Sequence, residues 1–250
     1  MAERVEVIAL HGFLGLPGDW RGVEGALAAI SPGRDIVWTA LDCGQYLRRI
    51  VTEGTPQARS LIRFGEILGG EIAARSDPVI MVGYSMGGRL ALHTLLNSPS
   101  APAGAVVVSA QPGLSDELSR RSRLTSDEAW AVRFEQEAWG DLIAAWNESP
   151  VFRSSREVVR PCRIEGEFDR PLLAESLRAW SLGHQEDLRG GVGALTCPLD
   201  ILVGGEDVKL CAAWAGFPVT VVPGAGHRLL LEAPTAVAAA VAGVIRRIQS

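Results

Sequence analysis

Six short apolar runs punctuate the chain: VEVIAL (5–10), DIVWTAL (35–41), PVIMVG (78–83), GAVVVSA (104–110), LDILVG (199–204) and FPVTVVPG (217–224). They are rich in Val and Ile, have strand length, and do not alternate cleanly between apolar and polar positions. That pattern suits strands covered on both faces, as in a parallel sheet between two helix layers. The stretches 22–30, 57–76, 86–98 and 233–248 are long enough for crossover helices. Within 61–75, Leu61, Phe64, Leu68 and Ile72 recur at spacings of three and four and make one apolar stripe. Gly69-Gly70 in that helix is unfavourable by roughly 1 kcal/mol per glycine against alanine, so a bend or break is expected there. The pattern predicts an alternating α/β fold with a mostly parallel sheet.

From about 111 to 190 the rhythm breaks. This stretch carries no convincing strand and holds Trp130, Trp139, Trp146 and Trp180, four of the seven tryptophans. Trp130, Phe134, Ala138, Leu142 and Trp146 fall four apart, which predicts one helix with a large aromatic face. Lying between two strands, the segment reads as an inserted helical cap (111–190) on a core formed by 1–110 and 191–250. The same aromatic face would serve plain packing or a pocket lining, and periodicity does not separate the two.

Composition narrows the function classes. A chain of 250 residues can bury one substantial core. The net charge of -5 gives no reason to expect nucleic-acid binding. No apolar run reaches the roughly 18 residues of a membrane span, and the N-terminal MAERVEVIAL is too short to read as a secretory leader. Cys43, Cys162, Cys197 and Cys211 lack zinc or dithiol spacing, so reduced, mostly buried thiols in a cytoplasmic protein are expected. The histidines are too dispersed for a metal motif, and GGEDVK lacks a dinucleotide fingerprint.

The chemistry concentrates at GYSMG (83–87). This G-x-S-x-G follows the apolar VIMV and precedes the helical GRLALHTLL, the strand–turn–helix context of a nucleophile elbow. A serine displayed there sits on strained backbone. Glycines two before and two after it remove side chains that would clash. An ordinary turn serine is the alternative.

Serine needs an oriented histidine. His227, in the glycine-rich loop after the last strand, is the candidate; His11 follows the first strand, His93 reads as structural, and His184 lies in the cap. Asp207, just beyond the penultimate strand, is the chosen acid, with Glu206 beside it still open and a loop-capping role the alternative. The order Ser85, Asp207, His227 is that of the nucleophile-elbow hydrolases. The backbone N–H groups of Met86 and Phe13 are the candidate oxyanion hole, with Gly12 and Gly15 allowing close approach.

These motifs resemble the α/β-hydrolase-fold family. LHGFLGLPGDW (10–20), VGYSMGGRLAL (82–92), WNESPVF (146–152) and SLGHQEDL (181–188) resemble one branch, the 2-succinyl-6-hydroxy-2,4-cyclohexadiene-1-carboxylate synthases of menaquinone and phylloquinone biosynthesis. The resemblance implies cofactor-independent elimination of pyruvate from a small polycarboxylate, with triad-activated Ser85 as base. It also implies substrate contacts from Tyr84, Arg89, Arg123 and Trp146, with the arginines holding carboxylates. An ion pair is the plainer reading of Arg89. The chain departs from the family at LDCGQYL (41–47), where a glycine-rich turn is usual, and at Leu230, where a second histidine is common. It departs again at Glu165, near the place of a further cap arginine, which Arg163 would replace only with a shift. A small serine carboxylesterase or thioesterase is the rival reading. A non-enzymatic receptor on the same fold would call for a broken triad.

Overall fold

The computed structural model describes residues 4–52, 60–98, 102–153, 155 and 161–249. Six parallel strands form one sheet: β1 (Val5–Leu10), β2 (Ile36–Leu41), β3 (Val79–Tyr84), β4 (Gly104–Val108), β5 (Leu199–Gly204) and β6 (Thr220–Val222), in the order β2-β1-β3-β4-β5-β6. The register pairs Leu10 with Gly83, Tyr84 with Val108, and Val108 with Leu202. It therefore aligns the carboxyl ends of the central strands along one edge. The strand order reverses between β1 and β3, and in open parallel sheets ligands bind outside such a switch point.

Both faces of the central strands are buried, while the edge strands β2 and β6 are partly exposed. Val5, Val7 and Ala9 of β1, with Ile80 and Val82 of β3, face α1 (Arg21–Ile30) and a later helix, Pro234–Ile248. Ile8, Leu10 and Met81 face α2 (Cys43–Thr52), α3 (Leu61–Ala73) and α4 (Met86–Asn97). Burial on both sides of the central strands is why their runs lack alternation.

Several sequence expectations are corrected. α3 runs unbroken through Gly69-Gly70. The physical reason is packing: a Cβ on Gly65 would stand 2.6 Å from the His93 carbonyl oxygen, and one on Gly69 would stand 2.5 Å from Ser98 Cβ. These glycines let α4 approach closely, and that contact outweighs their weak helix propensity. Residues 57–59 of the predicted 57–76 helix lie outside the described residues. α2 occupies the departing LDCGQYL region, with Asp42 Oδ1 accepting from Gly44 N–H at 2.9 Å and Cys43, Leu47 and Ile50 buried. Only Thr220–Val222 of the 217–224 run is strand. Cys43 is buried, but Cys162 is exposed and Cys197 and Cys211 are half-buried; all four are free.

Between β4 and β5 the described residues are helical or irregular: α5 (Glu117–Gln136), α6 (Trp139–Asn147), α7 (Arg170–Ala179) and α8 (Arg189–Gly193). The single helix expected through Trp130 and Trp146 is two helices, because the backbone turns extended at Glu137 and Ala138. Their aromatic faces still converge. Phe134, Leu142, Ala174 and Leu177 form a third buried cluster around Leu14, flanked by Phe13, Trp130 and Trp146. The chain then continues through α9 (Val208–Ala213), α10 (Leu229–Glu232) and α11 (Pro234–Ile248). No helix among the described residues is long and apolar enough to cross a membrane.

Candidate active site

Ser85 stands between β3 and α4 at φ 52 and ψ -112, a left-handed conformation that is strained for a residue with a side chain. Packing holds it there. Its N–H donates to the Val108 carbonyl at 2.9 Å, and its own carbonyl accepts from Arg89 N–H at 3.1 Å. A Cβ on Gly83 would meet Gly88 Cα at 2.7 Å, and one on Gly87 would meet the His11 carbonyl oxygen at 2.5 Å. Both motif glycines are therefore required by close backbone approach.

His227 reaches the serine from the loop after β6. Its Nε2 lies 3.1 Å from Ser85 Oγ and its Nδ1 lies 2.7 Å from Asp207 Oδ2. Asp207 does two jobs: Oδ2 meets the imidazole, while Oδ1 accepts from Leu210 N–H at 3.1 Å and caps α9. The capping alternative and the orienting role thus coexist in one carboxylate. The neighbouring Glu206 instead contributes its backbone N–H to the Ala225 carbonyl. Asp207 and His227 are both buried, so their hydrogen bond is shielded from water.

The His227 loop has a second support that the sequence reading missed. Glu232 accepts from Gly226 N–H at 2.5 Å and from Arg228 N–H at 3.1 Å, clasping the residues on either side of the histidine. The glutamate five residues after a loop histidine, at the end of the apolar run LLLE, is the signal that was available.

The loop after β1 forms the opposite wall. Gly15 N–H donates to the Gly12 carbonyl at 3.0 Å, and Leu14 takes a positive φ of 55. A Cβ on Gly12 would lie 3.3 Å from Ser85 Cβ, so the segment carrying Phe13 passes directly beside the serine. Met86, at the start of α4, flanks the other side. His11 is buried and structural: Nδ1 lies 2.8 Å from the Gly12 carbonyl oxygen, and Nε2 accepts from Cys43 N–H at 3.1 Å. His93 is buried in α4, whereas His184 is exposed.

Two cavities meet at Phe13, Leu14 and Gly15. The smaller, about 50 Å³, is walled by Phe13, Tyr84, Trp146 and Phe152 and also touches Asp19, Arg163 and Arg228. The Tyr84 and Phe152 rings each lie 5.8 Å from the His227 ring, so this cavity adjoins the serine–histidine pair. Burial pushes the Tyr84 phenol above its ordinary range, which keeps it a neutral donor. The larger cavity, about 140 Å³, includes Gly12, Met86 and Trp180 in its walls. Among the described residues, no group of three or more His, Cys, Asp or Glu side chains is arranged to hold a metal ion.

The arginines differ from the sequence reading. Arg89 and Arg123 line neither cavity. Arg89 is buried beneath the insertion and donates through Nη2 to the Trp180 carbonyl at 2.7 Å. Burial, with Arg123 nearby, brings its guanidinium down to about 9, against the opposing pull of Asp127. Arg123 donates from Nε to both Asp127 oxygens at 2.8 Å. The cavity wall instead carries Arg163 and Arg228. Arg163 forms a two-pronged pair with Asp19 at 3.0 and 2.7 Å. Arg228 lies 4.1 Å over the Phe152 ring and donates to Asn147 Oδ1 at 2.5 Å. Sequence reading singled out Arg163 only as a shifted substitute, and it missed Arg228 although that residue directly follows the histidine.

A model of the alpha/beta hydrolase family matches residues 7–240. The 2-succinyl-6-hydroxy-2,4-cyclohexadiene-1-carboxylate synthase of Serratia proteamaculans (strain 568) is 33% identical over 253 residues, covering 95% of this chain and 92% of the relative. Among solved structures, MenH from S. aureus superposes with a TM-score of 0.71 at 18% identity, covering 100% of this chain and 96% of that one. A thermophilic esterase from Thermogutta terrifontis superposes with a TM-score of 0.65 at 17% identity, covering 100% and 92% respectively. These two likenesses are of fold. The matched span and the full-length relative together establish that this chain belongs to the alpha/beta hydrolase family and, within it, to the 2-succinyl-6-hydroxy-2,4-cyclohexadiene-1-carboxylate synthases.

Proposed function

We propose that this chain is a carbon–oxygen lyase that eliminates pyruvate from 2-succinyl-5-enolpyruvyl-6-hydroxy-3-cyclohexene-1-carboxylate, without a cofactor, to give 2-succinyl-6-hydroxy-2,4-cyclohexadiene-1-carboxylate. The observation that carries the reading is the continuous Ser85–His227–Asp207 hydrogen-bond chain, at 3.1 and 2.7 Å, beside a cavity carrying two guanidinium groups. His227 Nε2 takes the Ser85 hydroxyl proton as Ser85 Oγ removes an activated ring proton. Asp207 stabilises the imidazolium that forms. The C–H electron pair moves toward the succinyl carbonyl, whose oxygen becomes enolate-like against the Phe13 and Met86 backbone N–H groups. The electrons then return through the ring, a new C=C forms, and the C–O bond to the enolpyruvyl group breaks. The C–O electron pair leaves as pyruvate enolate, which takes the proton held by the His227 imidazolium and becomes pyruvate, returning the triad to its starting state.

The α5–α7 insertion acts in this reading as the cap, with Trp146 and Tyr84 shaping the pocket. Arg163 and Arg228 receive carboxylates in the place the family resemblance gave to Arg89 and Arg123. A second reading has one observation in its favour: the walls also include Ile143, Leu230 and Leu231, which fit an acyl chain. A serine esterase would use the same triad. Purified protein assayed in parallel on the enolpyruvyl substrate and on a short acyl ester separates them. Pyruvate release that is lost in Ser85→Ala, with negligible ester turnover, is the expected result. The opposite rates overturn the lyase reading in favour of the esterase.

A further inference from the structure

We propose that Asp19 is a resident carboxylate that occupies the Arg163 guanidinium in the unliganded protein and yields it to a substrate carboxylate, making Asp19 an internal competitor that sets how tightly the site binds. The inference rests on the reading of this cavity as a carboxylate site. Arg163 Nη1 and Nη2 meet Asp19 Oδ1 and Oδ2 at 3.0 and 2.7 Å, the parallel geometry with which a guanidinium receives any carboxylate. Both residues line the cavity that adjoins His227, and their side chains are only 11% and 20% exposed.

The pair also spans two parts of the molecule. Asp19 belongs to the loop after β1, where its Oδ2 accepts from Leu16 N–H at 3.0 Å. Arg163 belongs to the insertion, where its carbonyl accepts from Trp139 Nε1–H at 2.9 Å. The cavity between them, about 50 Å³, is far below the roughly 300 Å³ or more of a typical small-molecule site. The Asp19–Arg163 contact ties the loop after β1 to the segment carrying Arg163 in the wall of that cavity, so a ligand that engages the guanidinium must separate the pair.

The energetics then discriminate between ligands. Breaking a largely buried ion pair without replacement leaves a desolvated charge, which is strongly unfavourable. A neutral ligand that parts the walls incurs that penalty in full. A carboxylate-bearing ligand exchanges one ion pair for another and avoids most of it. Asp19 thus weakens by a common increment every ligand that opens the pair, while the bond regained at Arg163 supplies the preference for a carboxylate.

The test measures equilibrium binding of succinate and of its uncharged dimethyl ester to the parent, Asp19→Asn and Arg163→Gln proteins by calorimetry. Asn retains an acceptor for Leu16 N–H, so the turn is kept; Asp19→Ser is the second variant should Asn not fold. Removing the internal competitor is expected to tighten succinate by about fivefold or more, and Arg163→Gln to abolish its binding. Dimethyl succinate is expected to gain by a similar factor, since the pair no longer has to be broken, and the ratio of the two affinities is expected to change only in Arg163→Gln. Unchanged or weaker succinate binding in folded Asp19 variants overturns the proposal. If Arg163→Gln still loses succinate in that case, the carboxylate-site reading survives. If Arg163→Gln binds succinate as the parent does and pyruvate release is absent, both fail.

Discussion

Around Ser85 almost every position is dictated by backbone, whereas across the cavity the insertion is held by side chains. On the serine side the Ser85 N–H is bonded to the Val108 carbonyl, and Gly83 and Gly87 leave no room for a Cβ. On the other side Arg170 reaches from α7 to the Phe134 and Glu137 carbonyls, and Arg178 pairs with Glu128 and Glu135 of α5. Backbone-held geometry tolerates few sequences and few positions, which suits a reacting group. Side-chain-held geometry built on partly exposed pairs such as Arg178–Glu128 permits rearrangement at modest cost.

The sharpest break of that contrast is at Asp207. Asp207→Asn keeps the Oδ1 cap on α9 but reverses the hydrogen-bond preference at His227 Nδ1 and thereby disfavours the tautomer that can accept the serine proton. Turnover is expected to fall by about 10⁴-fold with little change in thermal midpoint, measured as pyruvate release and by calorimetry. An undiminished rate sinks the triad. Gly87→Ala comes next and acts on the fold. Its methyl group would press on the Leu10 and His11 carbonyls, and the expected destabilisation is roughly 3 kcal/mol, read from urea unfolding. The same change at Gly140, in α6 with nothing within 4 Å of the added carbon, should instead raise stability by up to about 1 kcal/mol.

The same contrast decides what could be read from the sequence. The strands and the serine elbow were legible because local sterics force particular residues into particular places; GYSMG between VIMV and a helical run is such a constraint. Asp207 and His227 were legible through their positions just after strands. The break at Glu137-Ala138 was not, because the four-residue spacing runs on across it and only the packing of α6 against Phe13 and α5 shows two helices. Gly69-Gly70 misled for a related reason: helix propensity is local, while the approach of α4 to Gly69 is tertiary. Arg163 and Arg228 had no local signature. Which guanidinium faces a cavity depends on how the insertion folds over the core.

The two sets of arginines provide the next test. Arg89 holds the Trp180 carbonyl and lies outside both cavities, whereas Arg163 lines one. Arg89→Met is expected to lower stability by roughly 2 kcal/mol, because a charged hydrogen bond to a buried carbonyl is lost, with KM little changed. Arg163→Gln should raise KM roughly tenfold or more with stability nearly intact. Urea unfolding and steady-state pyruvate release on the same two proteins check both halves. A KM effect confined to Arg89→Met would return the carboxylate site to the elbow helix.

The smallest effect at neutral pH belongs to His93, and its sign is fixed by burial. The ring is enclosed in α4, and desolvation, with the Arg89 charge beside it, brings its pKa down from 6.5 to about 4. The unfolded chain therefore binds a proton that the folded protein refuses between those values. Stability attributable to this residue is complete well above pH 6.5 and declines as pH falls, by about 1 kcal/mol at pH 5.5 and about 3 kcal/mol at pH 4. His93→Leu removes the titrating group and keeps an apolar side chain of similar reach. Its unfolding free energy should match the parent's near pH 7.5 to within about 1 kcal/mol and fall less steeply toward pH 4. Parallel pH curves for the two proteins would mean that His93 finds its proton in the folded state as readily as in water, and that the interior of α4 is wetter than its packing against α3 implies.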